Sequence, residues 1–132
     1  MRIFAMIFVI AIAIAVTTPA SAVGVFHTHW KDHYLSGNKN PLFVKTAKKA
    51  GCFICHVKGE KKEDARNEYG EALGKHLKAA DFPKAWVKNN PDEAKKRIVA
   101  AFEKVEDELS RDGDGFGRKI SKGQLPAVDA GL

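Results

Sequence analysis

The stretch Cys52-Phe53-Ile54-Cys55-His56 decides how the chain is read. Two thiols three positions apart, followed at once by a histidine, form the C-x-x-C-H signature of covalent c-type haem attachment. At the end of a helix the thiols stand about one turn apart and can add across two haem vinyl groups as thioethers. His56 is then placed to ligate the iron from the proximal side. The same residues have two other readings. A thioredoxin-like redox pair wants a βαβ setting, and the sequence has no alternating strand pattern. A structural zinc site needs four closed ligands, and the chain has only 2 Cys in 132 residues. One covalent haem c is the cofactor this stretch predicts.

The sequence on either side of the motif is helical. Asn40-Pro41 gives an N-cap followed by Pro at the first helical position, which opens a helix from Pro41 to about Ala50. Before it, Phe26, Trp30, His33 and Tyr34 share one face of a short amphipathic helix over Phe26–Leu35, closed by the turn Ser36–Asn40. After the motif, Val57 to Asp64 is polar and lysine-rich and reads as a solvated loop. Ala65, Tyr69, Ala72, Leu73, His76, Leu77 and Ala80 line one face of a helix near residues 65–79. Trp86 and Val87 fall in a connector behind Pro83. Asn90-Pro91-Asp92-Glu93 combines a cap, a first-turn Pro and a Glu at N3, and starts a helix. Its stripe of Ile98, Phe102, Val105 and Leu109 runs to about Ser110, and Arg111 to Gly117 is a glycine-rich turn.

The fold class expected is all-α, a small cytochrome c-like helical domain wrapped around one covalently bound haem. Phe43, Val44, Leu73, Leu77, Phe102 and Val105 are the residues expected against the porphyrin. The face Phe43, Ala47, Gly51 is expected to cross the C-terminal helix at Ile98 and Phe102.

The first twenty-two residues read as an address. Met1-Arg2 is a short positive region, Ile3 to Val16 is unbroken and apolar, and Ala20-Ser21-Ala22 has the small-x-small pattern of a signal-peptide cleavage site. The apolar run falls short of the roughly 20 residues that span hydrocarbon, so no stable membrane span is expected after cleavage. Residues 1–22 are thus assigned to a cleaved signal peptide and residues 23–132 to one domain, exported to a periplasm or an equivalent oxidising compartment. Over the full chain the composition, 45% hydrophobic and 29% charged, is that of a globular domain.

Both methionines, Met1 and Met6, leave with that leader. Methionine, a common sixth ligand in small c-type cytochromes, is therefore absent from the mature chain, and a lower potential than that of Met/His haem follows. His33 and His76 stand on apolar helical faces and are the candidate distal ligands; His27 and His29 fall toward the polar side. A Lys ligand, a partner-donated ligand or a vacant site remain open. A vacant site would admit NO or CO.

Formal net charge is +6. Lys45, Lys48, Lys49, Lys58, Lys61 and Lys62 flank the motif and read either as a solvated face or as a basic ring that steers a redox partner with an acidic docking surface. No nucleic-acid motif is present. Asp112-Gly113-Asp114-Gly115-Phe116-Gly117 begins like a calcium loop, but Phe116 and Gly123 stand where ligands are needed, so it reads as a turn.

The stretch Cys52–Lys58, the run Arg66-Asn67-Glu68-Tyr69-Gly70-Glu71-Ala72-Leu73, and the ending Phe116-Gly117 with Lys122-Gly123-Gln124-Leu125-Pro126 together resemble the small monohaem cytochromes c of planctomycetes, including anammox-type bacteria. The resemblance implies Cys52 and Cys55 as thioether anchors, His56 as proximal ligand, and single-electron transfer between redox partners. One branch of that group is a heterodimeric, NO-binding cytochrome with histidine–cysteine ligation. Its distal cysteine has no counterpart here, although a homo- or heterodimer stays among the expectations. The function expected is an electron carrier rather than an enzyme. The alternatives are a haem-based NO- or CO-binding subunit and, further off, a non-haem thiol or zinc protein.

Overall fold

Six helices account for the architecture in the computed structural model, which describes residues 22–62 and 65–127. Residues 1–21, which hold Met1, Met6 and nearly all of the expected leader 1–22, lie outside the described residues, as do two positions of the loop after the motif and the last residues of the expected domain. The helices are α1 (Ala22–Leu35), α2 (Pro41–Ala50), α3 (Glu68–His76), α4 (Lys84–Asn89), α5 (Pro91–Glu106) and α6 (Phe116–Ser121). Among the described residues there is no β-strand, only isolated bridges between His56 and Arg66 and between Leu109 and Gly115. The all-α class is what the sequence leads one to expect.

The longest helix, α5, is the spine. Ala94, Ile98, Ala101, Phe102 and Val105 form its buried stripe, and its main neighbours are α1, α3 and α6. From α1 come Trp30, Tyr34 and Leu35, from α3 Tyr69, Ala72 and Leu73, and from α6 Phe116 and Ile120. The polar atoms of Trp30, Tyr34 and Tyr69 in this core find partners. Trp30 Nε1 donates to the Tyr69 hydroxyl at 3.0 Å, and the Tyr34 hydroxyl donates to Glu106 Oε1 at 2.8 Å. Each bond removes the cost of an orphaned buried polar atom, about 1–3 kcal/mol.

The helix ends follow local chemistry. Asn40 Oδ1 accepts from the Phe43 amide at 3.1 Å and Pro41 takes the first turn, as the sequence predicts. At its other end α2 stops at Gly51, with φ of 55°. Asn90 behaves differently: its side chain donates back to the Trp86 carbonyl at 2.9 Å, closing α4 rather than capping α5.

Four expectations change. Trp86 and Val87 lie on the short helix α4 rather than in a connector, pinned by Arg97, whose guanidinium sits 5.0 Å from the Phe82 ring centre and 5.3 Å from that of Trp86. The stripe of α5 ends at Glu106, so Leu109 is exposed in the following loop. The segment after the glycine-rich turn forms α6, whose Phe116 meets Tyr69 edge-on at 5.3 Å. Of the face expected to cross α5, Phe43 and Ala47 lie in one core with Ile98 and Phe102, but Gly51 takes no part, since nothing lies within 4 Å of where its Cβ would be.

Candidate functional site

Gly51–Ile54 continues from α2 as one turn of 3-10 helix, and the motif is wound on it. The amides of Cys55 and His56 both donate to the Cys52 carbonyl, at 3.2 and 3.1 Å. One tight turn therefore carries Cys52, Cys55 and His56 together. Ile54 and His56 are buried, whereas Gly51, Cys52, Phe53 and Cys55 each keep partial exposure. Both thiols are free.

His56, 9% exposed, has its Nδ1 3.2 Å from the Ala65 carbonyl oxygen. That contact assigns the proton to Nδ1 and leaves Nε2 as the nitrogen with a lone pair. A backbone carbonyl on the far ring nitrogen is the usual outer-shell support of a metal-ligating histidine. The acceptor is supplied by the strand-like segment Ala65–Asn67, which the sequence reading places inside a helix. Here α3 starts later, at Glu68. The Cys55 carbonyl accepts from the Asn67 amide at 3.1 Å, and the side chain of Asn67 donates to the carbonyls of Phe53, 3.1 Å, and Ile54, 3.0 Å. Asn67 was not singled out by sequence reasoning; the N-x-x-Gly spacing to Gly70, whose amide it caps at 2.9 Å, is the signal that could have found it. Gly70 itself packs on the motif: an added Cβ would overlap the Cys55 carbonyl oxygen.

Burial pushes the Cys55 thiol up to about 12, reinforced by the nearby Cys52. Although the residue keeps some surface, its sulfur is enclosed. Among the described residues no three His, Cys, Asp or Glu side chains converge on a common metal position, so the motif does not assemble a zinc-like cage.

The candidate distal histidines are placed elsewhere in the fold and are engaged by carboxylates. His33, on α1, stacks edge-on against Tyr34 and has Nε2 3.9 Å from Glu106 Oε1. His76 ends α3 with Nε2 2.9 Å from Glu108 Oε1. His27 and His29, expected on the polar side, instead have buried ring nitrogens without a hydrogen-bond partner: Nε2 of His27 and Nδ1 of His29. Burial holds the His27 pKa below its ordinary value, with the Lys31 charge adding to the effect.

The residues expected against a porphyrin mostly face one another. Phe43, Leu73, Leu77, Phe102 and Val105 are all in the core, and Val44 is half-buried. Lys45, Lys48, Lys49, Lys58, Lys61 and Lys62 are all exposed. An open groove along the start of α2, about 580 Å³, is lined by Asn38, Lys39, Pro41, Val44, Lys45 and Lys48. The calcium-like loop is closed by cations of the chain itself: the Lys119 ammonium, on a residue 4% exposed, forms an ion pair with Asp112 at 2.6 Å, and Lys122 meets Asp114 at 3.1 Å. It is a turn, as its sequence indicates. Among the described residues no helix is long and apolar enough to cross a membrane.

No family model matches the chain, and no curated protein and no solved structure matches it.

Proposed function

We propose that the chain is an exported monohaem c-type cytochrome that passes single electrons between larger redox proteins, with Cys52 and Cys55 as thioether anchors and His56 as proximal ligand. The observation that carries this reading is His56: buried on the C-x-x-C-H turn, with Nδ1 committed to the Ala65 carbonyl and Nε2 left to act as a donor. The donor set fits a covalent haem in kind and order. When bound, the haem would supply a one-electron iron couple. The chain's part is to hold the axial nitrogen, to keep water from the buried side of the turn, and to present a lysine-rich face to an acidic partner. The likeness to the planctomycete monohaem cytochromes rests on the motif stretches quoted above and belongs to this proposal, as do export and removal of residues 1–22.

A gas-binding subunit, alone or as half of a dimer, is the second reading, and one observation favours it. Nε2 of His76 is already in a hydrogen bond with Glu108 at 2.9 Å, so that candidate distal ligand does not have the nitrogen idle.

Pyridine haemochrome analysis of the exported protein tests the core of the proposal: a c-type spectrum is expected, and its absence overturns both haem readings. EPR of the ferric protein and CO difference spectra then separate carrier from gas binder. A low-spin, CO-inert haem supports the carrier, and rapid CO binding supports the other. A near-infrared Met–Fe(III) band would overturn the expectation of non-methionine ligation.

A further inference from the structure

One residue outside the motif holds three successive carbonyls of the motif turn, those of Phe53, Ile54 and Cys55. Asn67 is 1% exposed. Its Nδ2 donates to the Phe53 and Ile54 carbonyls, and its Oδ1 accepts from the Gly70 amide. Its backbone amide donates to the Cys55 carbonyl. Two residues earlier, the same segment supplies the Ala65 carbonyl to His56 Nδ1. A carboxamide is the one small group that can donate twice and accept at once. Alanine can make none of these side-chain bonds, and aspartate can make only the one to Gly70.

We propose that Asn67 is the positioning residue of the attachment site, fixing the Cys52–His56 turn so that both thiols and the His56 ring are presented together before haem arrives. This rests on the haem reading of the motif. Thioether formation is an addition: each S–H adds across a vinyl C=C, a C–S bond replaces the π bond, and the thiol hydrogen goes to the other vinyl carbon. No oxidant enters, so the chain's contribution is geometric, and two additions on one rigid porphyrin require two sulfurs at a fixed separation. Asn67 holds the carbonyls between those sulfurs and thereby sets that separation.

The full chain is produced with a c-type haem attachment apparatus as wild type, Asn67→Asp, Asn67→Ala and Asn40→Ala. Asn40→Ala removes a comparable helix cap, on α2, without touching the motif carbonyls. Covalent haem per chain, the thermal midpoint and the pyridine haemochrome α band are measured for each. Asn67→Asp is expected to keep the α3 cap yet load about tenfold less haem, the scale at which residues that orient a ligand through hydrogen bonds act. Its residual haem should show the longer-wavelength α band of a porphyrin with one vinyl left unsaturated. Asn40→Ala should lose stability but keep the two-thioether band. Wild-type loading and band position in Asn67→Asp would overturn the positioning role, and so would a loss in Asn40→Ala that tracks stability as closely as in the Asn67 variants. Wild type without thioether-bound haem would overturn the function instead. Amide exchange at Cys55 and His56 in the full chain then decides on Asn67 alone: faster exchange in Asn67→Asp upholds its hold on the turn, and unchanged exchange ends the proposal.

Discussion

Gly70 and Gly74 stand one turn apart on α3 and differ in what an added methyl would meet. At Gly70 a Cβ runs into the Cys55 carbonyl oxygen and comes within 3.2 Å of Arg66 Cβ. At Gly74 it meets the guanidinium of Arg66, the far end of a flexible side chain. Alanine gains about 0.8–1 kcal/mol over glycine in helix propensity at either site. At Gly74 that gain should survive, because Arg66 can swing away. At Gly70 the backbone of the motif turn must move, and overpacking of this kind costs about 1–3 kcal/mol. Urea unfolding of the two alanine variants should therefore give opposite signs. Gly70→Ala should also weaken the hold on His56, since Cys55 and His56 share the Cys52 carbonyl. A stabilised Gly70→Ala protein would mean that α3 slides off the motif at little cost.

On α2 the two ends make the same kind of point. Asn40→Ala removes the side-chain acceptor from the Phe43 amide and should cost about 1 kcal/mol, as N-cap deletions do. Gly51 ends the helix at φ of 55°, and nothing lies within 4 Å of where a Cβ would be. Gly51→Ala should thus be destabilising by about 1 kcal/mol through backbone strain alone, and Gly51→Leu should cost little more, because there is space for the larger side chain. Thermal melts of the Ala and Leu variants check this: a far larger loss in Gly51→Leu would restore the packing role that the sequence suggests for this glycine. What was legible at this scale was periodicity and caps over long segments, hence α1, α2 and α5. The motif could be picked out directly because its five residues are consecutive, and the structure winds them on one turn. The short helices α4 and α6 were not, since six residues carry less than two turns of pattern. Nor were Asn67 and the Ala65 carbonyl, which reach the motif through tertiary contacts across a polar loop. The partners of His33 and His76 were hidden for the same reason: Glu106 and Glu108 are 73 and 32 positions away along the chain.

For the molecule as a whole, acid is the informative stress. Among the described residues four groups have pKa values lowered by folding, and each stabilises the fold in its deprotonated form. His27 lies below its ordinary 6.5 through burial and the Lys31 charge. Glu108 lies below 4.5 through hydrogen bonds from Lys75 and His76. Asp112 lies well below 3.8, held chiefly by Lys119 and then Ser110, and Asp114 lies below 3.8, held chiefly by Lys122. A lowered folded pKa means that the unfolded chain takes up protons first as pH falls. The contribution is complete above the unfolded value and is lost as pH drops through the folded one. Stability should therefore decline in two legs: a shallow one starting near 6.5 from His27, and a steeper one below 4.5 from the three carboxylates, with the rising net positive charge adding self-repulsion. Exposure of those carboxylates to solvent keeps each single contribution small. His27→Gln should remove the upper leg and leave the lower. Lys119→Met should act on the other leg: without its ammonium Asp112 returns toward an ordinary carboxylate pKa, so the loss below 3.8 becomes smaller. At neutral pH the same variant should be less stable than wild type, because removing one partner of the pair gives up the contribution of the lowered Asp112 pKa, which the apolar side chain offsets only in part. Thermal midpoints of the three proteins across the acid range check both legs. Parallel curves for wild type and Lys119→Met would show that Asp112 owes its acidity to the Ser110 hydroxyl and the Asp114 amide rather than to the lysine buried behind it.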